Sequence, residues 1–136
     1  MTTILRPKDA ATLVLVRNAK TVPEVLLGQR HGGHAFMPNR YVFPGGRVDP
    51  SDSRVAPATS LRQEVADRLQ KNCGPARARA LAVAAVRETY EETGLMLADK
   101  MPTGRQTSRN FAWSDFAQRG LGPALANLDY VCRAIT

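Results

Sequence analysis

The sequence predicts an α/β fold, because strand-like and helix-like segments follow one another along the chain. Residues 11–17 and 41–43 are rich in β-branched or aromatic residues, which are typical of strands, and residues 24–30 are expected to form the strand that returns after the first turn. Two later segments, about 59–71 and 75–93, have the residue pattern of helices. The chain therefore combines strands with helices, as an α/β domain does.

The three predicted strands are separated by residues that favour turns. Asn18-Ala19-Lys20 lies between the first two strands, and a glycine-rich loop precedes the third. The third strand, 41–43, leads directly into Pro44-Gly45-Gly46, which we interpret as a tight turn. The pair would also let another group approach the backbone closely, because glycine has no side chain.

The segment 59–71 is predicted to be a helix, because its large apolar residues recur every four positions. They are Leu61, Val65 and Leu69. Pro75 is well placed at the start of the next helix, since proline is favoured in a first turn. That second helix is predicted to end near Thr93, where Gly94 suits a left-handed cap.

Beyond the second helix the pattern is weaker. We expect a buried strand at 95–97, a short helix at 113–119 begun by Ser114 as its N-cap, and a last strand at 128–135. Trp113 and Phe116 are expected to pack in the core or under a loop.

Three carboxylates lie within five residues near the end of the second predicted helix: Glu88, Glu91 and Glu92. Residues three and four apart share one helical face, so these like charges repel each other. A bound divalent cation would reverse the sign of that interaction, because carboxylate oxygens are the ligands that such ions prefer. Arg87 precedes Glu91 by four positions and is placed to pair with it. The cluster therefore predicts a metal site for phosphate chemistry.

The run Arg87–Gly94 (RETYEETG), together with Phe43-Pro44-Gly45-Gly46 upstream, resembles the signature of the Nudix hydrolases. The resemblance implies an α/β/α sandwich with a mixed sheet and hydrolysis of a diphosphate linked to another moiety. It also implies Mg²⁺, for which Mn²⁺ can substitute. The implied metal ligands are Glu88, Glu91, Glu92 and the carbonyl of Gly46, and Glu88 is alternatively the base, acting through a water. Arg87 is expected to hold Glu91 in place.

The chain departs from the family pattern at three points. Thr89 stands where an aliphatic residue is usual. Gly46 precedes Arg87 by 41 positions (87 − 46), so the loop carries a long insertion at about residues 50–75. The early glutamate of the pattern is absent. Counting from either end points to Asp52 or to Arg79, and neither is a secure substitute.

The long insertion, with Phe36-Met37-Pro38 ahead of the glycine pair, is similar to the Nudix branch that includes coenzyme A diphosphatases. This implies a nucleoside diphosphate derivative as substrate, with coenzyme A or acyl-coenzyme A as a specific candidate. Two alternatives stay open. One is a Nudix-fold module that binds nucleotides without hydrolysis, and the other is an RNA-directed Nudix enzyme.

The length of 136 residues is that of a single domain, 1–136. The resemblance implies further C-terminal elements, so we expect either a truncated chain or a sheet completed by a second subunit as a homodimer. No apolar run approaches the ~20 residues that span a bilayer, and the N-terminus lacks the pattern of a secretion signal. Cys73 and Cys132 have no paired-motif spacing. We expect a cytoplasmic protein without a membrane partner.

The net charge of +7 favours an anionic partner. Arg30, Arg40 and Arg47 are candidates to contact substrate phosphates around the glycine pair, although solvated strand ends explain them equally well. The basic residues are scattered along the chain, and no aromatic-rich motif accompanies them, so nucleic acid is not the expected partner.

Overall fold

The structure, a computed structural model, describes residues 6–30, 32–33, 39–102 and 107–135. Within these ranges it contains eight short strands and three helices. The strands are β1 (Ala10–Thr12), β2 (Val16–Arg17), β3 (Glu24–Val25), β4 (Gly28–Gln29), β5 (Tyr41–Val42), β6 (Gly45–Arg47), β7 (Ala98–Lys100) and β8 (Leu121–Pro123). The helices are α1 (Gln63–Leu69), α2 (Pro75–Thr93) and α3 (Phe111–Gln118).

The strands form four antiparallel pairs: β1 with β6, β2 with β3, β4 with β5, and β7 with β8. In the first pair Ala11 lies opposite Gly46 and Thr12 lies opposite Gly45. An isolated parallel bridge also joins Thr59 to Ala124, outside these strands. The pairing of β1 with β6 places the N-terminal strand beside the glycine pair.

The predicted N-terminal strands are present but interrupted. The segment 11–17 divides into β1 and β2, and the segment 24–30 divides into β3 and β4. Backbone hydrogen bonds continue between these strands, with Leu13 N donating to Pro44 O at 2.8 Å and Leu26 N to Leu15 O at 3.0 Å. The segments are therefore extended throughout, with the regular ladder broken between them.

The prediction of a tight turn at Pro44-Gly45-Gly46 was wrong, because Gly45 and Gly46 belong to strand β6. Glycine is required at these two positions because neighbouring atoms leave no room for a side chain, and not because the chain turns there. A Cβ on Gly45 would lie 2.6 Å from the carbonyl oxygen of Ala11, a contact that the backbone of β1 cannot relieve.

Helix α2 has the limits that the sequence predicts. Pro75 occupies the first turn after the extended residue Gly74, and Gly94 caps the other end with φ of 76°. The Gly94 N–H donates to the carbonyl of Tyr90 at 2.8 Å, which satisfies one of the last orphan carbonyls. Small buried residues along α2, among them Ala78 and Ala85, let the helix pack closely against β1 and β6.

The C-terminal predictions were less accurate. The strand expected at 95–97 begins later, as β7, and Leu95 is exposed. Residues 128–135 form no strand, and β8 is instead the partner of β7. The expected helix exists as α3, but Asn110 caps it, accepting a hydrogen bond from Trp113 N at 3.2 Å. The first residue of α3 therefore lies two positions before Trp113.

The core lies where α2 and α3 meet β8 and the insertion. Its buried residues are Val55, Ala82, Val83, Val86, Trp113, Phe116 and Leu125. Trp113 and Phe116 pack edge to face, with ring centroids 5.1 Å apart, which confirms the expectation that both belong to the core. The cysteines in the described ranges are free. None of the described helices combines the length and apolarity needed to cross a bilayer.

Candidate functional site

The C-terminal half of α2 places its carboxylates directly against β6. Glu92 Oε2 accepts a hydrogen bond from Gly45 N at 3.2 Å. A Cβ on Gly46 would lie 2.5 Å from Cδ of Glu88, so the carboxyl group of Glu88 occupies the space that any other residue would fill. The two glycines thus let two carboxylates approach the backbone of the strand.

Arg87 links the carboxylates of α2 to one another and to β6. Its Nη1 lies 3.0 Å from Glu91 Oε2 and 2.9 Å from Glu88 Oε1. Its Nη2 donates to the carbonyl of Arg47 at 2.8 Å. The predicted pairing of Arg87 with Glu91 is present in this geometry, and the Arg87 side chain is only 4% exposed.

Asp52 is the residue whose role the sequence did not establish. Its Oδ1 accepts from Arg87 Nε at 2.9 Å and its Oδ2 from Arg87 Nη2 at 3.1 Å. The Asp52 carboxylate is fully buried and also accepts from Trp113 Nε1 at 3.0 Å. Asp52 therefore pairs with the arginine that precedes the carboxylates. Arg79, the other candidate, instead donates to the carbonyl of Ser53 at 3.2 Å.

A spacing count from Gly46 points to Asp52, but two features hid its role. The insertion breaks the spacing to Arg87, and aspartate is shorter than the glutamate expected there. Local backbone bonds place the carboxylate: Asp49 N donates to Asp52 Oδ2 at 2.8 Å, and Ser51 N donates to Asp49 Oδ1 at 2.7 Å. This turn directs Asp52 into the core, where Arg87 and Trp113 meet it.

The charges in the site shift the pKa values of two groups. Burial opposes the charge on Arg87, but hydrogen bonding and attraction to Asp52, then to Glu88 and Glu91, outweigh it and raise its pKa. Burial raises the pKa of Glu88; the charge of Arg87 opposes this, and the like charges of Glu91 and Glu92 reinforce it. Arg87 is therefore a permanent cation surrounded by carboxylates.

The donor types fit a hard divalent cation. Glu88 and Glu92 both lie against the glycine pair, and Glu91 is held by Arg87, so carboxylate oxygens are available along one face of α2. Within the described ranges, no three His, Cys, Asp or Glu side chains already converge as a metal cluster. The three predicted carboxylate ligands lie side by side along α2 and do not converge on one point.

Thr89, the departure from the family pattern within α2, is accommodated without loss of a hydrogen bond. Its side chain is fully buried, and Oγ1 donates to the carbonyl of Ala85 at 2.8 Å. A threonine can bond to the carbonyl four residues earlier in a helix, which satisfies the hydroxyl in an apolar environment. Thr89 therefore packs where an aliphatic residue is usual.

The three candidate substrate arginines lie at different places. Arg30 and Arg40 meet across the extension of the β4–β5 hairpin, where Arg30 N donates to Arg40 O at 2.8 Å. Arg47 ends β6, and its carbonyl is the atom that holds Arg87, while its side chain is exposed. The Phe36-Met37-Pro38 segment lies outside the described residues, as do His31 and His34 of the glycine-rich loop before β5.

A cavity of about 780 Å³ opens next to Asp52. It is lined by Asp49, Ser51, Trp113 and residues of the insertion and of β8, and by none of the three carboxylates of α2.

Comparisons with known proteins found two relatives that are named as Nudix hydrolases. No family model matches the chain. Nudix hydrolase 7 of Caenorhabditis elegans, a protein assigned to that family by name, is 32% identical over 103 residues, which are 76% of this chain and 26% of that protein. A crystal structure of a NUDIX hydrolase from Alicyclobacillus acidocaldarius matches with a TM-score of 0.62 and 28% identity, covering 91% of this chain.

The chain spans about a quarter of the length of the curated relative and 60% of the solved chain. The fold likeness extends over nearly all of this chain, and the motif residues Gly45, Gly46 and Arg87 to Glu92 come together in one place. On the fold, the motif and these two relatives, the chain belongs to the Nudix hydrolase superfamily.

Proposed function

We propose that this chain hydrolyses a diphosphate linkage in a nucleoside diphosphate derivative, with a divalent cation held by Glu88, Glu91, Glu92 and the carbonyl of Gly46. The observation that carries the proposal is the seating of Glu88 and Glu92 against Gly46 and Gly45. Glutamates with only a structural role on a helix surface have no need of a glycine strand beneath them. The membership of the Nudix superfamily supports the same reaction.

The residues of the chain contribute by placing charge. Arg87 holds Glu88 and Glu91, and the Gly45 N–H holds Glu92, so the carboxylates are oriented before substrate arrives. A bound Mg²⁺, or Mn²⁺ in its place, would supply neutralisation of the diphosphate oxygens and activation of a water. Glu88 is alternatively the base that takes a proton from that water, the role that the sequence left open.

Coenzyme A or acyl-coenzyme A is the specific substrate that we propose. The basis is the resemblance of the glycine pair and long insertion to the coenzyme A diphosphatase branch. Water would add to one phosphorus and the bridging oxygen would leave with the other, yielding 3′,5′-ADP and 4′-phosphopantetheine or its acyl form. Arg30, Arg40 and Arg47 are proposed to contact the phosphates, since guanidinium groups bind phosphate through paired hydrogen bonds.

The test is product analysis of the purified protein with coenzyme A, ADP-ribose, NADH and dinucleoside polyphosphates, each with Mg²⁺ or with EDTA. Cleavage of coenzyme A only with Mg²⁺ would support both the reaction and the substrate. Cleavage of another diphosphate would keep the reaction and reject coenzyme A. Binding, seen as a thermal shift, without any product would instead favour a nucleotide-binding module.

A further inference from the structure

Trp113 makes a polar contact that core packing alone does not require. It is 3% exposed, and its indole Nε1–H donates to Asp52 Oδ1 at 3.0 Å. A buried indole N–H needs an acceptor, and a backbone carbonyl would serve as well. Here the acceptor is instead a fully buried carboxylate that is paired with Arg87.

The Asp52 carboxylate is held by four donors. Oδ1 accepts from Trp113 Nε1 and Arg87 Nε, and Oδ2 accepts from Arg87 Nη2 and Asp49 N. Arg87 belongs to α2 and Asp49 lies three residues before Asp52, whereas Trp113 belongs to α3. Trp113 is therefore the donor that ties Asp52 to the third helix. Without it, Oδ1 keeps only Arg87 Nε as a donor, while Arg87 Nη2 and Asp49 N still hold Oδ2, so the carboxylate is less firmly fixed at the edge that faces α3.

Any turn of Asp52 is passed to the carboxylates of α2 through Arg87. The guanidinium uses Nε and Nη2 for Asp52, and Nη1 for Glu88 and Glu91. Because the guanidinium is planar and rigid, a shift at one edge moves the opposite edge as well. A change in the orientation of Asp52 would therefore reach Glu88 and Glu91 through Arg87.

We propose that Trp113 is a positioning residue for the carboxylates of α2, acting through Asp52 and Arg87. The inference rests on the proposed function, since it assigns Trp113 an effect on the metal that Glu88 and Glu91 would hold. A purely structural Trp113 would instead act through its edge-to-face contact with Phe116. The two roles differ in what removal of the N–H alone does.

Trp113→Phe is the variant that separates these roles, because phenylalanine keeps an aromatic ring in the core and lacks the N–H. Phe116→Leu is the matched control, since it removes the partner ring and leaves the indole bond to Asp52. We expect Trp113→Phe to weaken Mn²⁺ binding, measured by electron paramagnetic resonance, by about tenfold, the low end for outer-shell partners of metal ligands. The control is expected to bind Mn²⁺ like the wild type.

A double-mutant cycle with Asp52→Asn tests the route. If Trp113 acts through Asp52, Trp113→Phe has little further effect on Mn²⁺ binding in the Asp52→Asn background. Additive effects, or equal losses in Trp113→Phe and Phe116→Leu, would overturn the proposal. The proposed reaction can fail separately. If the wild type cleaves no diphosphate but Trp113→Phe still binds Mn²⁺ more weakly than the wild type, Trp113 remains a positioning residue and only the proposed reaction is rejected.

If Trp113→Phe does not fold, a titration of the wild-type protein with Mg²⁺, followed by proton NMR, tests the proposal instead. Trp113 is the single tryptophan of the sequence, so its indole N–H gives one unambiguous proton resonance. That resonance is expected to shift as Mg²⁺ is added, because the chain of contacts joins it to Glu88 and Glu91. A resonance that stays unchanged up to saturating Mg²⁺ would contradict the proposal.

Discussion

Arg87 and Asp52 are 35 residues apart in the chain and form a doubly hydrogen-bonded ion pair in the core, with N–O distances of 2.9 and 3.1 Å. The pair connects the insertion to the helix that carries the carboxylates. Removal of one partner of a buried pair leaves an uncompensated charge, which costs more than the pair itself contributes. The site is thus built on a contact that only the fold creates.

Asp52→Ala is expected to destabilise the protein by about 3–5 kcal/mol, because it leaves Arg87 buried without its main partner. Asp67→Ala is the control: Asp67 is exposed on α1, so that change should cost no more than about 0.5 kcal/mol. Urea unfolding of both variants measures the difference. Equal losses would show that the Arg87–Asp52 pair is dispensable for stability.

Glu91→Gln and Glu92→Gln are each expected to lower turnover by several orders of magnitude while the fold survives. Glutamine keeps the size of the side chain and removes the charge that a divalent cation requires. Glu24→Gln, at an exposed position of β3, is the control and should keep wild-type turnover. Near-full activity in either of the first two variants would mean that the site is wrongly assigned.

Gly46→Ala is expected to reduce turnover by about tenfold or more with the fold retained. The added Cβ would lie 2.5 Å from Cδ of Glu88, and the glutamate, as the end of a flexible side chain, must move away. Gly28→Ala is the control in the same set of strands, because its nearest atom would be 3.9 Å away. Steady-state kinetics would compare them, and unchanged turnover in Gly46→Ala would show that the position of Glu88 is unimportant.

Asp9 and Arg77 give a pH-dependent contribution to stability. Arg77 donates twice to the carboxylate of Asp9, at 2.5 Å each, and these hydrogen bonds lower the pKa of Asp9 below its ordinary value of 3.8. The ion pair therefore stabilises the folded protein fully at pH values above the ordinary pKa of Asp9. This stabilisation is lost as the pH falls through the lowered pKa that Asp9 has in the folded protein.

Asp9→Asn should remove this dependence. Below pH 3.8 the stability of the wild type is expected to approach that of the variant, and above it the wild type should be the more stable. Denaturant unfolding at a series of pH values checks this. A difference between the two proteins that does not change with pH would argue against the ion pair.

The sequence predicted best what is determined locally. Helix α2 begins at Pro75 and ends before Gly94 because a proline in the first turn and a left-handed glycine cap act within a few residues. Strands depend on distant partners, and residues 128–135 have an alternating pattern but form no strand. The sequence predicts a turn at Gly45 and Gly46, which instead form a strand because their partner, β1, lies far back in the chain.

The same distinction holds for the site. Glu88, Glu91 and Arg87 were recognisable because their spacing on one helix is a local pattern. The roles of Asp52 and Trp113 depend on contacts across 35 and 61 residues, which spacing cannot report. Thr89 was noted as a departure, and its bond to Ala85 explains why the departure is tolerated.

The most direct test of the proposed reaction is hydrolysis of coenzyme A in oxygen-18 water, first with EDTA and then with Mg²⁺ restored. We predict no cleavage with EDTA, and, with Mg²⁺, one labelled oxygen on a phosphate of one of the two products. That result would show water attacking a diphosphate phosphorus in a reaction that needs the metal. Equal cleavage in EDTA, or products without the label, would contradict the account.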